Sequence, residues 1–150
     1  MNIIIVNGPN LNLLGEREPE IYGNESLEEL MLWLEKSPLG SEHSFKFFQS
    51  NHEGEIIDFL HDERHWCDGV IINPAAFTHY SYAIRDAISS INIPTVEIHL
   101  SDILTREDFR QLSVIKPVCI AQVSGMGKNS YMEGLRILTE KFKKLRLNLR

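Results

Sequence analysis

Runs of apolar residues alternate along the chain with segments in which apolar residues recur every three or four positions. Five short runs rich in Ile, Val and Phe predict strands, at Asn2–Asn7, Ser44–Gln49, Gly69–Ile72, Thr95–Ile98 and near Val118–Val123. The three- and four-residue spacing between them is typical of amphipathic helices. Strands that alternate with helices in this way predict a parallel sheet with helices packed against it.

Four amphipathic stretches supply the predicted helices. Ser26 precedes Glu29 by three residues, a capping box that marks the start of the first. The predicted inward faces carry Leu27, Leu30, Met31 and Leu34; Ile56, Ile57, Phe59 and Leu60; Ile84, Ala87, Ile88 and Ile91; and Tyr131, Leu135, Leu138, Phe142 and Leu145. A short helix is predicted around Thr105–Gln111. We therefore expect one domain over residues 1–150, a flavodoxin-like α/β fold with an open doubly wound sheet of about five parallel strands and helices on both faces.

The segment from Asn7 to Gly23 is too long and too rich in turn residues for a simple strand-to-helix connection. Gly15 and Gly23 bracket it around Arg17 and Tyr22, as in a closing flap with permissive ends and functional side chains between them. The alternative is an exposed loop in which Arg17 pairs with a neighbouring glutamate.

Composition and charge exclude several classes of protein. The chain is 43% hydrophobic and 24% charged, which is ordinary for a globular protein, and its net charge of −6 argues against nucleic-acid binding. No apolar stretch is long enough for a bilayer, and the first residues lack the basic region of a signal peptide, so we expect a cytoplasmic protein. Cys67 and Cys119 lack metal-ligand spacing and are predicted to be reduced.

Polar residues follow the carboxyl ends of four predicted strands. They are Asn10, Arg17 and Tyr22 after the first strand, His52 after the second, Asn73 and His79 after the third, and His99, Ser101 and Arg110 after the fourth. In an open parallel sheet these ends meet at one edge, where ligands bind at the topological switch point. The sequence therefore predicts a small-molecule site at this edge.

Familiar cofactor and metal motifs do not fit. Ser124–Lys128 departs from the phosphate-loop pattern, since Gln122 and Asn129 occupy positions where that pattern requires Gly and Ser or Thr. His61–His65 resembles HExxH but carries Asp62 in place of the glutamate. Neither a metal nor an organic cofactor is predicted, and no Gly-x-Ser-x-Gly elbow indicates a nucleophilic hydrolase.

The remaining polar residues suit proton transfer. A guanidinium close to a tyrosine stabilises its phenolate, and Arg17 lies in the same segment as Tyr22. Glu97 and His99 are two residues apart on a strand, so they share a face, where the carboxylate holds one ring nitrogen and leaves the other to act as an acid. The alternative for this pair is a structural contact at a strand end.

Several segments closely resemble the type II 3-dehydroquinate dehydratases of the shikimate pathway. They are Asn7–Gly23, Gln49–Glu55, Ile72–His79, Arg85–Asp86 and Glu97–Ser101, with Arg106 and Arg110. The resemblance covers nearly the whole chain and implies flavodoxin-like subunits arranged as trimers, usually four trimers to a dodecamer. It also implies trans elimination of water from 3-dehydroquinate through an enolate, to give 3-dehydroshikimate, with neither metal nor organic cofactor.

The resemblance implies roles for individual residues. Tyr22 would remove the proton α to the ketone, with Arg17 keeping it ionised, and His99, oriented by Glu97, would protonate the departing hydroxyl. Asn10 would hold a water against the enolate oxygen. The implied substrate contacts are Asn73, the backbone N–H groups of Leu100 and Ser101 for the carboxylate, and His79 and Arg110 for the ring hydroxyls. Asp86 would reach into a neighbouring subunit's site.

Some residues depart from the family pattern. Asp102 stands where Asn is common, and Ala75, Ala121, Gln122 and Ser130 stand where Gly is frequent. The alternative function is a non-catalytic flavodoxin-like module that binds a nucleotide or flavin, since a fold does not fix a function.

Overall fold

The computed structural model describes residues 1–148, and its centre is a parallel sheet of five strands. The strands are β1 (Asn2–Asn7), β2 (Ser44–Gln49), β3 (Gly69–Asn73), β4 (Thr95–Ile98) and β5 (Ala121–Val123). Their order is β2-β1-β3-β4-β5, and every neighbouring pair is parallel. This is the flavodoxin-like strand order, so the predicted fold is confirmed.

Five α-helices connect or flank the strands. They are α1 (Pro19–Tyr22), α2 (Leu27–Lys36), α3 (Glu53–Glu63), α4 (Tyr82–Ile91) and α5 (Asn129–Asn148). The predicted capping box is present at α2, where Ser26 and Glu29 each accept a hydrogen bond from the other's backbone N–H. Among the described residues, no helix combines the length and hydrophobicity needed to cross a bilayer.

The core lies on both faces of the sheet because successive side chains of a strand point to opposite sides. On one face, Ile3 and Ile5 pack with α2 and α5. On the other, Ile4 and Val6 pack with α3 and α4. The central strand β3 is buried throughout, as its uninterrupted apolar run predicts.

The cleft at the carboxyl edge follows from the strand order. β1 has β2 on one side and β3 on the other, so the chain leaves the ends of β1 and β3 in opposite directions. The Gly8 N–H still donates to the Asn73 carbonyl at 2.8 Å, which holds the two loops together where they diverge. This is the topological switch point, where α/β sheets bind their ligands.

Two predictions about the C-terminal third are wrong in detail. Strand β5 begins at Ala121, because Lys116–Val118 forms a 3₁₀ helix around Pro117, which has a fixed φ and no N–H for a ladder. The apolar face of α5 ends early, since Leu145 is 40% exposed. Most of the buried α5 side chains lie between Tyr131 and Leu138, where the helix packs on the sheet.

Candidate active site

A cavity of about 150 Å³ lies at the carboxyl edge of the sheet. The structure brings together in its lining most of the residues predicted from the sequence: Asn10, Arg17, Tyr22, Asn73, His79, His99, Leu100, Ser101 and Arg110. They come from the loops after β1, β3 and β4, so the convergence expected from a parallel sheet is present.

Three other residues that the sequence analysis names as candidates for the site do not line the cavity. Glu97 is completely buried and contacts the cavity only through His99. Asp86 is exposed on α4, away from this chain's own cavity, and His52 is exposed at the start of α3. Within residues 1–148, no group of three or more His, Cys, Asp or Glu side chains is arranged to hold a metal ion.

The segment from Asn7 to Gly23 is more ordered than a plain loop. It contains a 3₁₀ helix at Leu11–Leu13 and the short helix α1, which ends at Tyr22. Gly15 and Gly23 have φ values of 88° and 87°, a region that glycine adopts without steric cost. The two residues predicted to be permissive therefore flank the turn of helix that presents Tyr22 to the cavity.

The guanidinium that contacts the Tyr22 hydroxyl belongs to Arg106 and not to Arg17. Arg106 Nη1 donates to the Tyr22 oxygen at 3.2 Å. Arg17 lies over the Tyr22 ring, with its Cζ 5.8 Å from the ring centroid, and its Nε is 3.3 Å from a Glu18 carboxylate oxygen. The hydrogen bond to Tyr22 raises the pKa of Arg106, so this side chain stays charged.

The sequence analysis predicts no role for Arg106, although the position of this residue in the chain indicates one. It is a cation in the loop after β4, the loop that also carries Ser101 and Arg110. That loop enters the cavity at the switch point, so each of its cations is a candidate for contact with a ligand.

His99 and Glu97 form the pair that strand alternation predicts. His99 Nε2 lies 2.7 Å from Glu97 Oε1, and both side chains are buried. Burial acts to raise the pKa of Glu97, but hydrogen bonds from His99, Thr78 and Ser113 outweigh it, so that this pKa lies below its usual value. Glu97 is therefore a carboxylate, and it binds the Nε2–H of His99.

His79 presents an acceptor nitrogen towards the cavity. Its Nδ1 lies 2.7 Å from the Leu112 carbonyl, which can only accept, so Nδ1 carries the proton. Burial lowers the pKa of His79, and the nearby His99 and Arg110 lower it further. The Leu112 carbonyl and Glu97 raise it, but they do not outweigh burial. The neutral ring has a lone pair left on Nε2, which suits a ligand hydroxyl.

The backbone at Leu100 and Ser101 offers donors to the cavity. Their carbonyls accept hydrogen bonds from Gly127 and Gly125, at 3.0 and 3.1 Å, which ties this loop to the turn before α5. Among the described residues, neither of their N–H groups donates to a protein acceptor. Unpaired N–H groups beside a cationic side chain form a site for an anionic oxygen.

Asp102, one departure from the family pattern, is engaged outside the cavity lining. Its carboxylate accepts a hydrogen bond at 3.0 Å from the Leu104 N–H and caps the 3₁₀ helix Ile103–Thr105. The negative charge is therefore placed at a helix N-terminus, where it is stabilised.

Asn10 lines the cavity, and its backbone has a left-handed conformation. Its φ is 67°, and its N–H donates to the Asn51 side-chain oxygen at 2.9 Å. Asparagine tolerates this conformation better than most residues. The loops after β1 and β2 are therefore joined at the point where Asn10 lines the cavity.

A buried chain of hydrogen bonds fixes the amide of Asn73. The Tyr131 hydroxyl donates to Asn7 Oδ1 at 2.5 Å and accepts from Asn73 Nδ2 at 3.3 Å. Burial raises the pKa of Tyr131, so its hydroxyl keeps its proton. The Ala75 N–H donates to Asn73 Oδ1 at 3.2 Å, which leaves the second Nδ2–H of Asn73 for the cavity.

Replacing Tyr131 by phenylalanine is expected to lower the free energy of unfolding by about 1–3 kcal/mol, because it leaves buried groups of Asn7 and Asn73 without partners. Urea denaturation measures the loss. Tyr80→Phe is the control, since Tyr80 is 60% exposed and the loss of its hydroxyl should change the free energy of unfolding little. Equal stability of the two variants would contradict the network.

Ala75 occupies a left-handed conformation with φ of 50°. A Cβ there costs about 1–2 kcal/mol, while glycine loses about 0.4–1 kcal/mol more conformational entropy on folding. We therefore expect Ala75→Gly to raise the free energy of unfolding by roughly 0.5–1 kcal/mol in urea denaturation.

Ala76→Gly provides the matched control for Ala75→Gly, because Ala76 lies in the same 3₁₀ helix without a positive φ. It gains no relief from strain and should lose stability. A loss of stability in both variants would show that Ala75 carries no strain.

Comparison with known proteins identifies relatives over almost the full chain. The profile of the family described as Dehydroquinase class II matches residues 1–139. A 3-dehydroquinate dehydratase of Caldicellulosiruptor saccharolyticus is 53% identical over 141 residues, which cover 92% of this chain and 96% of the relative. One of Thermotoga petrophila is 49% identical over 145 residues, covering 97% and 99%.

Solved structures agree with this similarity. The crystal structure of a type II dehydroquinase from Butyrivibrio crossotus superposes with a TM-score of 0.89 at 45% identity, covering 93% of this chain and 97% of that one. Fold, sequence and the residues around the cavity all point to the same family. The chain belongs to the class II dehydroquinases.

Proposed function

We propose that this protein is a 3-dehydroquinate dehydratase that eliminates water from 3-dehydroquinate in trans through an enolate, giving 3-dehydroshikimate for the shikimate pathway. The observation that carries the proposal is the placement of two proton-transfer groups in one cavity. Tyr22 enters the cavity from the segment after β1, and its hydroxyl accepts a hydrogen bond from the Arg106 guanidinium. His99 enters from the end of β4, and its ring is hydrogen-bonded to the Glu97 carboxylate.

Tyr22 is the proposed base. The proton next to a ketone is acidic enough for a phenolate to remove when the developing oxyanion meets preorganised donors. Arg106 donates directly to the phenol oxygen and Arg17 lies over the ring, so both cations favour the phenolate. Asn10, which lines the same cavity, is proposed to hold a water against the enolate oxygen.

His99 is the proposed acid for the departing hydroxyl. Glu97 holds Nε2, which leaves Nδ1 as the nitrogen able to give a proton to the substrate. A trans elimination requires the base and the acid on opposite faces of the ring, and Tyr22 and His99 reach the cavity from separate elements, the segment after β1 and the end of β4.

The remaining polar groups are proposed to bind the substrate. The carboxylate would accept from the N–H groups of Leu100 and Ser101, and the ring hydroxyls would contact His79 and Arg110. Asn73 would donate its free amide N–H to the substrate or a bridging water. The net charge of −6 does not attract an anion, so binding depends on the local field of the arginines around the cavity.

A turnover assay tests the function. Purified protein mixed with 3-dehydroquinate should produce growing absorbance of a conjugated enone, and no growth across neutral pH would refute the proposal. Activity should survive borohydride added with substrate, because no lysine Schiff base forms. Substrate deuterated at one α position should reveal loss of the hydrogen that is trans to the departing hydroxyl.

The proposal extends to domain organisation and assembly. Residues 1–150 form one catalytic domain, of which residues 149–150 lie outside the described part. The subunits form trimers, and the trimers form a dodecamer. Asp86, exposed on α4, would complete a neighbouring subunit's site. Two exposed apolar side chains, Tyr82 at the start of α4 and Phe109 beside His79, support a contact between subunits. Sedimentation of wild type and Asp86→Ala, with activity in parallel, tests this coupling.

The cytoplasm is the proposed location, supported by the two free cysteines, Cys67 and Cys119. Family membership does not favour the alternative of a non-catalytic nucleotide- or flavin-binding module. A flavin-binding module would purify as a yellow protein.

A further inference from the structure

Glu97 is a charged group with no exposed surface, and a buried carboxylate is tolerated only when it is well hydrogen-bonded. Besides His99, three neutral side chains donate to it. Ser113 Oγ lies 2.9 Å from each carboxylate oxygen, and Gln122 Nε2 lies 3.1 Å from Oε2. The Thr78 hydroxyl donates to Oε1. These donors come from three different elements around β4.

Ser113 is held as a donor towards Glu97 and Thr78. The backbone N–H groups of Ile115 and Lys116 donate to Ser113 Oγ at 3.2 and 3.0 Å. These two bonds use both lone pairs of the hydroxyl, so Ser113 Oγ is left to donate its proton. That proton is directed at the Glu97 carboxylate and at Thr78 Oγ1, which lies 2.8 Å away and itself donates to Glu97.

Gln122 reaches Glu97 from the neighbouring strand. The two residues are register partners in the β4–β5 pair, which places the amide beside Oε2. The register of the sheet therefore holds this donor against the carboxylate.

Hydrogen bonds to both oxygens stabilise Glu97 as a carboxylate. If the proton moved from His99 Nε2 to Glu97 Oε1, the bonds from Thr78, Ser113 and Gln122 would change from charge-assisted to neutral ones. Charge-assisted hydrogen bonds are roughly twice as strong as neutral ones. The surroundings thus favour imidazolium–carboxylate over imidazole–carboxylic acid, two states with the same number of protons.

We propose that Ser113, Thr78 and Gln122 are positioning residues that keep the shared proton on His99 and off Glu97, so that Nε2 stays committed to Glu97 and Nδ1 delivers the catalytic proton. This rests on the proposed function, in which His99 is the acid. A neutral imidazole would be a far poorer acid towards the departing hydroxyl.

The other titratable groups around the pair do not replace these donors. Cys119 packs near Glu97, and burial raises the pKa of its thiol to about 12, so it stays uncharged. His79 is held on the Leu112 carbonyl, and Arg110 pairs with Glu107 at 3.0 Å. The neutral donors are thus the contacts that decide where the proton lies.

Kinetics of matched variants give the first test. Ser113→Ala and Gln122→Met should each lower kcat about tenfold or more with little change in KM, since a hydrogen bond to a charged group is lost. Ser113→Thr keeps the hydroxyl and should restore most of kcat. Thr139→Ala removes a buried hydroxyl that bonds Leu135 and His43, away from the site, and should leave kcat unchanged.

Infrared spectroscopy of the same proteins gives a readout that a structural role would not move. Ser113→Ala and Gln122→Met should show the C=O stretch of a buried carboxylic acid, absent from wild type and from variants that also carry Glu97→Gln. Variants with wild-type kcat, or with reduced kcat and no such band, would overturn the proposal. An inactive wild type would refute the dehydratase function alone, because the infrared test needs no turnover.

Discussion

Replacing Tyr22 by phenylalanine is expected to lower kcat by ~10²–10⁴-fold, because the variant keeps the ring but loses the oxygen proposed to take the substrate proton. The fold should remain intact, since Tyr22 is only half-buried and its hydroxyl bonds to Arg106 alone among the described residues. Steady-state assays with 3-dehydroquinate measure kcat, and circular dichroism checks the fold.

Tyr80→Phe is the control for Tyr22→Phe, because Tyr80 is 60% exposed and does not line the cavity. It should keep wild-type kcat. If Tyr22→Phe retains more than about a tenth of the wild-type rate, Tyr22 is not the base, since a general base contributes far more than that.

The sheet was predictable because its information is local. An uninterrupted run such as Val70–Ile72 fits a strand covered on both faces, and the alternation of strands with amphipathic helices predicts a parallel sheet with helices on its faces. The sequence predicts strand β5 too early, because Val118 and Ile120 have the β-branched character of a strand. The turn at Pro117 overrides that preference.

The candidate site was predictable as far as topology and strand alternation define it. Glu97 and His99 lie two residues apart, so their contact follows from the geometry of one strand. The donors to Glu97 do not follow in this way, because Ser113 and Gln122 reach it from separate segments. Such contacts depend on tertiary packing, for which a single sequence carries no periodic signal.

The cation that contacts the Tyr22 hydroxyl is another contact that depends on tertiary packing and that the sequence pattern does not predict. Arg17 is close to Tyr22 in sequence, and this proximity predicts Arg17 as the cation on the phenol. In the structure, Glu18 attracts the Arg17 guanidinium to within 3.3 Å, and Arg106, 84 residues from Tyr22, makes the hydrogen bond. Long side chains in irregular loops are the part of a site that sequence patterns specify least.

Arg106→Ala is therefore expected to lower kcat about 10²-fold, because the phenolate of Tyr22 loses the charged donor that contacts its oxygen. Added guanidinium salt should restore part of the lost activity by binding in the space that the side chain leaves. Steady-state assays with and without guanidinium measure the loss and its rescue.

Two further variants separate this role from a general loss of charge. Within residues 1–148, the Arg136 guanidinium pairs with Glu133 and Glu140 on α5 alone, so Arg136→Ala should keep wild-type kcat and gain nothing from guanidinium. Arg17→Ala removes the cation over the ring and should regain less activity from guanidinium than Arg106→Ala, because it is Arg106 that contacts the phenol oxygen. If guanidinium restores Arg17→Ala more than Arg106→Ala, the segment from Asn7 to Gly23 rearranges in the complex and Arg17 contacts the phenolate during turnover.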